Sequence, residues 1–292
     1  MPFPFPRQQR RYRRTSRRRN TIGSGFKVRL VIAAAIALFS LFSYLSTSTL
    51  NPVTGEKQRV AITTEEEIAI GLQAVSEMAR QHGGDHPDAE AQAMVDGMGE
   101  YLVQSLDRWL AEQNRENPYR FEFHLLRDDR TVNAFALPGG QVFITYALFS
   151  RLQTEGQLAG VLGHEIGHVI ERHSARRMAA QKLTSGLAGA AGMAGGSWES
   201  ARMAQAVGQM VNMRYGRQDE LESDKWGVLL TSLAGYDPRS MIGVMNVLEE
   251  ASGGNSSPEI FSTHPKPANR RQYIESVIVE VFPNGLPGGL KP

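Results

Sequence analysis

A run of apolar residues from Leu30 to Leu45, LVIAAAIALFSLFSYL, constrains this chain more than any other feature. Its polar interruptions are Ser40, Ser43 and the amphipathic Tyr44. Extended to Leu50 it gives 21 residues, about 31 Å as a helix and enough to span a bilayer. Ahead of it, residues 1–29 hold nine Arg and one Lys, and the first acidic residue is Glu56. The formal net charge is +2, so removing those ten positive charges leaves the remainder near −8. The basicity belongs to a tail and the folded part is acidic, which argues against nucleic acid as a partner. The positive-inside preference divides the chain into a basic cytoplasmic tail (1–29), a transmembrane signal anchor (30–50) and a domain (51–292) beyond the membrane. A cleaved export signal, with Ser46 and Ser48 near the cleavage point, is the alternative. Both readings place residues 51–292 outside the cytoplasm.

The chain has no cysteine, which excludes a disulfide scaffold, a Cys-ligated metal, a Cys nucleophile and a lipidated Cys. With 41% hydrophobic residues in 292, it can build a sizeable core. Asn51–Gly55 reads as a turn-rich linker. Thr64 and Glu67 form a capping box for a helix to about Arg80, and a second helix runs from about Asp88 to Gln113. The period then becomes two: Phe121, Phe123 and Leu125 alternate with polar residues, and Thr131–Ala136 and Gln141–Thr145 make two further strands. Beyond Tyr146 the pattern is mostly helical. Gly186–Gly196 (GLAGAAGMAGG) is poor helix material and reads as a mobile loop. The fold class is α+β, mostly helical with a small sheet.

His164-Glu165-Ile166-Gly167-His168 lies in a helical pattern with Leu158, Val161, Leu162, Val169 and Ile170. Positions i and i+4 share a helical face, so both imidazoles can bind one metal ion. Glu165, about 100° round the helix, can reach a metal-bound water without being a ligand. This is a zinc-peptidase arrangement, two His ligands and a Glu general base. A catalytic zinc takes three protein ligands and keeps an open position. Ser174 and Glu171 stand where a metzincin needs His and Gly, so His173 is read as a cation near the end of the helix. The third ligand is expected in Asp219-Glu220-Leu221-Glu222-Ser223-Asp224. Glu220 and Asp224 share a face, Glu220 to ligate zinc and Asp224 to accept the free N–H of a ligating imidazole, His164; Glu222 points away.

Asn133–Phe143 reads as strand, turn, strand, and an exposed edge at Asn133, Ala134, Phe135 and Ala136 can pair with an extended peptide. Ser262-Thr263-His264-Pro265 and Arg270 follow near the C-terminus. Either His264 or Arg270 is a candidate to stabilise an oxyanion, and His264 is also a candidate to cap the open metal position. His82, His86 and His124 have no partner legible in the sequence.

The pieces NAFALPGG (133–140), HEIGH (164–168), ELESD (220–224, with Asp219 ahead) and STHP (262–265) followed by Arg270 resemble the gluzincin metallopeptidases that include the CAAX prenyl protease and HtpX. The chain is most similar to the BepA-like and LoiP-like periplasmic branch, and also to the mitochondrial Oma protease. Asn51–Val60 resembles the start of such mature domains. The resemblance implies a zincin-like domain binding one Zn²⁺ through His164, His168 and Glu220, with Glu165 as acid/base and an STHP loop able to cover the site. Ser223 replaces the family's usual Ala. The many membrane spans of the CAAX and HtpX branches are absent, which sets aside their prenylated or membrane-embedded substrates. The expected function is a single-pass inner-membrane metalloendopeptidase facing the periplasm and acting on envelope proteins in quality control. The competing expectation is a chaperone-like or adaptor protein whose zinc site stays latent under His264.

Overall fold

The apolar run forms one long helix, α1 (Ser24–Ser46), in a computed structural model that describes residues 24–195, 215–252, 259–264 and 269–292. Most of the basic tail, Gly196 and Pro265 lie outside the described residues. The helix starts before Leu30 and stops short of Leu50, because Ser48–Leu50 forms β1 and pairs antiparallel with β2 (Lys57–Arg59). Asn51–Gly55 is therefore the tip of a hairpin rather than a linker. Asn51 is buried there, donating to Ile170 O at 2.8 Å and accepting from the Val53 N–H.

Helix α2 (Thr64–Gln81) carries a capping box one residue earlier than Thr64 and Glu67 suggest. Thr63 accepts from the Glu66 N–H, and the Glu66 carboxylate accepts from the Thr63 N–H. Glu67 is left to a buried role, accepting from Arg172 Nε at 2.8 Å and Tyr119 OH at 3.3 Å. Helix α3 (Ala89–Ala111) is capped by Asp88 and buries Val95, Leu102, Leu106 and Leu110 along one stripe.

Strands β3 (Glu122–Leu126), β4 (Ala134–Ala136) and β5 (Gln141–Thr145) form a sheet in the order β3-β5-β4. β3 runs parallel to the fully buried β5, and β4 pairs antiparallel on its other side as an edge. β4 is shorter than Thr131–Ala136 because the Thr145 hydroxyl intervenes, donating to Thr131 O and accepting from the Asn133 N–H. At the β4–β5 tip Gly139 has φ +84°, and a Cβ there would stand 2.4 Å from Ile68 Cα, so only glycine lets the hairpin close on α2.

After α4 (Tyr146–Phe149), α5 (Glu155–Ile170) runs through the centre of the molecule, buried at every position beyond Glu155. It packs against α7 (Arg217–Leu233), α8 (Ser240–Ala251), α3 and the sheet; α9 (Ile260–Thr263) and α10 (Arg270–Val281) complete the surround. Arg172, at φ +56°, turns the chain from α5 into α6 (His173–Gly195).

The expected loop at Gly186–Gly196 is a helix as far as Gly195. The physical reason is a partner: α6 packs along α1, and a Cβ on Gly186 would stand 2.1 Å from Ser40 Oγ. Small residues let the two backbones approach, and that packing outweighs their weak helix propensity. The architecture is α+β and mostly helical with small sheets.

Candidate metal centre

Two faces of α5 and α7 meet to make the site. α5 brings His164, Glu165 and His168, and α7 brings Glu220 and Asp224. Glycines set the approach: a Cβ on Gly163 would lie 3.3 Å from Gly227 Cα, and one on Gly167 would lie 2.8 Å from Trp226 Cβ and 3.0 Å from Ser223 Cα. The three expected ligands converge. His164 Nε2 and His168 Nε2 are 3.1 Å apart, and the Glu220 carboxylate lies 3.7 Å from the first and 3.6 Å from the second. All three side chains are buried, as is Glu165.

The second nitrogen of each imidazole is held. His164 Nδ1–H donates to Asp224 Oδ1 at 2.9 Å, as the i,i+4 reading of Glu220 and Asp224 requires. His168 Nδ1 lies 2.8 Å from His173 Nδ1, and His173 Nε2–H donates to Glu222 Oε2 at 3.0 Å. Arg176 donates to the same Glu222 oxygen at 2.6 Å. Both imidazoles thus turn Nε2 inward and keep Nδ1 for an outer partner, the arrangement that orients metal-binding histidines.

This corrects the reading of His173. It is completely buried at the start of α6, and burial holds its pKa below the usual value, so it is a neutral relay and not a cation at a helix end. Glu222 does point away from Glu220, but toward His173. The signal was present in the alternation Glu220, Glu222, which puts two carboxylates on opposite sides of α7. It could not be used without knowing that α6 returns past α7. Tyr215, its ring centroid 4.1 Å from that of His168, had no sequence signal at all.

His264 reaches the same centre: its Nδ1–H donates to Glu220 Oε1 at 3.0 Å and its Nε2 lies 3.9 Å from Glu165 Oε1. It joins His164, His168 and Glu220 in one group of four possible donors within 4.8 Å of one another. Arg270, the first residue of α10, clamps Asp224 with Nε at 2.8 Å and Nη2 at 2.7 Å, and its Nη1 is 3.4 Å from Glu220 Oε2. Of the remaining histidines, His82 pairs with Asp128, His86 stacks on Tyr146 and His124 bonds Gln141, all away from the centre.

The electrostatics suit a cation. Burial, followed by the positive potential of neighbouring histidines and Arg270, pushes His168 well below its usual pKa, leaving a neutral imidazole with a free lone pair. Burial alone would raise Glu220, but His264, His164 and Arg270 outweigh it and keep the carboxylate ionised. Asp224 is held down at about 2, its burial outweighed chiefly by Arg270. Burial raises Glu165, the direction expected of a proton-accepting carboxylate. Glu220 Oε2, Glu165 Oε2 and His264 Nε2 are buried without hydrogen-bond partners, an uncommon cost unless something else satisfies them. Two inward-turned imidazole nitrogens, an ionised carboxylate and orphaned inward-facing atoms fit a divalent metal such as zinc.

Beside the centre lies a small cavity of about 30 Å³, walled by Met241, Val244, Met245 and Leu248 of α8 opposite His164 and Glu165. The edge strand β4 packs against α5. Asn133 O and Leu137 N bond to β5, so by the alternation of an antiparallel pair the N–H and C=O of Ala134 and Ala136 point away from β5, but both residues are buried and the edge is less exposed than the sequence suggests. Asn133 itself is buried, its amide 3.5 Å from Glu259 just ahead of α9.

Residues 99–278 match the model of Peptidase family M48. The chain is 37% identical over 160 residues to the beta-barrel assembly-enhancing protease of Escherichia coli K12, covering 51% of this chain and 33% of that protein. It is 30% identical over 236 residues to the protein of the same name from Yersinia pestis (76% and 46%). It is 31% identical over 189 residues to the mitochondrial metalloendopeptidase OMA1 of Schizosaccharomyces pombe (62% and 53%). The chain thus spans about a third to a half of the length of these curated relatives.

Proposed function

Because this chain belongs to peptidase family M48, we propose that it is a zinc-dependent metalloendopeptidase, held in the inner membrane by α1 with residues 51–292 on the periplasmic side. The observation that carries the reading is the convergence of His164, His168 and Glu220 on one buried point, with Glu165 one residue from the first ligand. His164, His168 and Glu220 would hold the zinc, which would supply a Lewis acid for the scissile carbonyl and acidify a water toward a pKa of about 7. Glu165, buried and with one carboxylate oxygen unpartnered, would accept a proton at that oxygen and return it to the leaving amine. Asp224 and His173 hold the two imidazoles in the required tautomers. Arg270 is a positioning residue, since its guanidinium is engaged by Asp224 and Glu220.

An extended peptide adds to the sheet at Ala134 and Ala136, its scissile bond carried past α5 and one apolar side chain directed into the pocket under α8. The bacterial relatives are named for enhancing beta-barrel assembly, and the substrates proposed for this chain are misfolded or misassembled envelope proteins. Casein cleavage by the purified full chain tests the chemistry. Glu165→Gln should abolish cleavage while retaining zinc, and Glu220→Ala should lose zinc. Cleavage surviving in Glu165→Gln would end the proposal.

One observation favours a second reading, in which the site is latent. His264 is 1% exposed and stands where a fourth ligand or a substrate carbonyl would sit. If it caps the metal, His264→Ala raises casein cleavage; if it supports the oxyanion instead, the same substitution lowers it.

A further inference from the structure

The neighbour of α1 is α6, and their alignment fixes how deep each part of α6 lies. Ser43, Tyr44 and Thr47 of the α1 end line one cavity with Ala179, Lys182 and Leu183 of α6. Further along, Gly186 meets Ser40. Residue numbers rise on α6 as they fall on α1, so the helices run antiparallel. Continuing from Gly186 to Gly195 adds about 13 Å and carries α6 down to the level of the first residues of the apolar run.

Charge divides α6 at that same boundary. Arg176, Arg177 and Lys182 occupy its first half, toward the metal centre, and nothing from Leu183 to Gly195 (LTSGLAGAAGMAG) carries a charge. The boundary on α1 is marked likewise: Tyr44 lies under the Arg59 guanidinium at 5.5 Å, an aromatic and basic pair of the kind that sits at a lipid headgroup surface. Below it both helices present apolar side chains outward, Leu187 and Met193 on α6, and Leu38, Phe39 and Phe42 on α1. The stretch is helical, so its backbone bonds internally and only the carbonyls of its last turn have no partner within it.

We propose that Leu183–Gly195 of α6 is buried in the bilayer against α1, entering from the side of the metal centre. This rests on the reading of α1 as a membrane span. The 13 residues give about 20 Å, close to the ~24 Å of the apolar run Leu30–Leu45 that they lie against. The partner surface is lipid acyl chain. Because α6 begins at His173, bonded to His168, the metal centre is tied to the lipid boundary at Lys182 by about 14 Å of helix. Peptide bonds presented close to the membrane surface are then the ones within reach.

The absence of native cysteine makes the test direct. Leu187→Cys, Met193→Cys, Phe39→Cys and Glu112→Cys are each introduced at exposed positions of the full chain, which is then placed in lipid nanodiscs. Reaction with a membrane-impermeant maleimide is timed before and after denaturing detergent. Glu112→Cys should react at once, and the other three at least tenfold more slowly until the lipid is dispersed. A bimane at position 187 or 193 should be quenched by lipids brominated in their acyl chains. Fast labelling at 187 and 193 with protection at 39 would overturn the inference and leave the anchor standing. Fast labelling at 39 would overturn the anchor reading and the inference together. Protection at 187 and 193 without quenching would mean that protein covers the helix, which also overturns it.

Discussion

Adding one methyl group at Gly167 should dismantle the metal centre while leaving the fold intact. The added Cβ would stand 2.8 Å from Trp226 Cβ, 3.0 Å from Ser223 Cα and 3.1 Å from Ser223 O, where ordinary contacts begin at 3.4 Å. Trp226 cannot swing aside, since its Nε1–H donates to Glu171 at 2.7 Å and its ring packs edge-on against Trp109. Ser223 presents backbone. So α7 must move as a body, by 3.4 − 2.8, or about 0.6 Å, and Glu220 moves with it. Alanine gains about 1 kcal/mol of helix propensity over glycine, and overpacking costs about 1–3 kcal/mol, so net stability should fall by no more than about 2 kcal/mol. Metal coordination tolerates only about 0.2 Å, and disturbing the shell around a ligand typically costs 10–100-fold in affinity. Gly167→Ala should therefore keep its far-ultraviolet circular dichroism while zinc affinity, read by competition with a chelator, falls at least tenfold and casein cleavage falls with it. A variant that binds zinc within twofold of wild type and cleaves normally would refute the claim that the α5–α7 approach sets the ligand geometry.

Removing the imidazole behind His168 should also weaken the metal: His173→Ala leaves His168 Nδ1 without its partner, and zinc affinity should fall about tenfold, with His173→Gln partly restoring it. Widening the side-chain preference tests the apolar pocket; Met245→Ala should raise kcat/KM for peptides with a bulkier apolar residue beside the scissile bond and leave zinc affinity unchanged. Away from the site, Asp128 is held at about 2: burial opposes ionisation, but hydrogen bonds from Thr131, Arg130 and His82 prevail. Its folded pKa lies below the unfolded 3.8, so the stabilisation is present above pH 3.8 and lost as the pH falls toward 2. Discounted for solvent screening this is about 1 kcal/mol, and denaturant unfolding of the metal-free Asp128→Asn chain should show that loss at pH 6 and only about a third of it at pH 2.5.

Much of the site could be read from local spacing. The i,i+4 pairs His164–His168 and Glu220–Asp224 need only a helix to share a face, and the strand Gln141–Thr145 was delimited by its run of apolar residues before a helix. Local rules failed where a side chain had a distant competitor. Thr63 rather than Thr64 caps α2 because Glu67 is drawn into a buried pair with Arg172. Thr131–Asn133 leave the strand because the Thr145 hydroxyl claims their backbone.

The sequence alone determined the ligand types, their helical pairing and the apolar length of α1, because helical periodicity and hydrophobic length are properties of consecutive residues. Only the tertiary structure decided that α5 and α7 approach closely enough for Glu220 to meet the two imidazoles, that His173 serves His168, and that the glycine-rich stretch of α6 is a helix beside α1. A glycine or a buried histidine has no strong conformational preference of its own. Its state is set by whichever surface packs against it, and for Gly167, Gly186 and the Glu222 side of His173 that surface lies tens to over a hundred residues away along the chain.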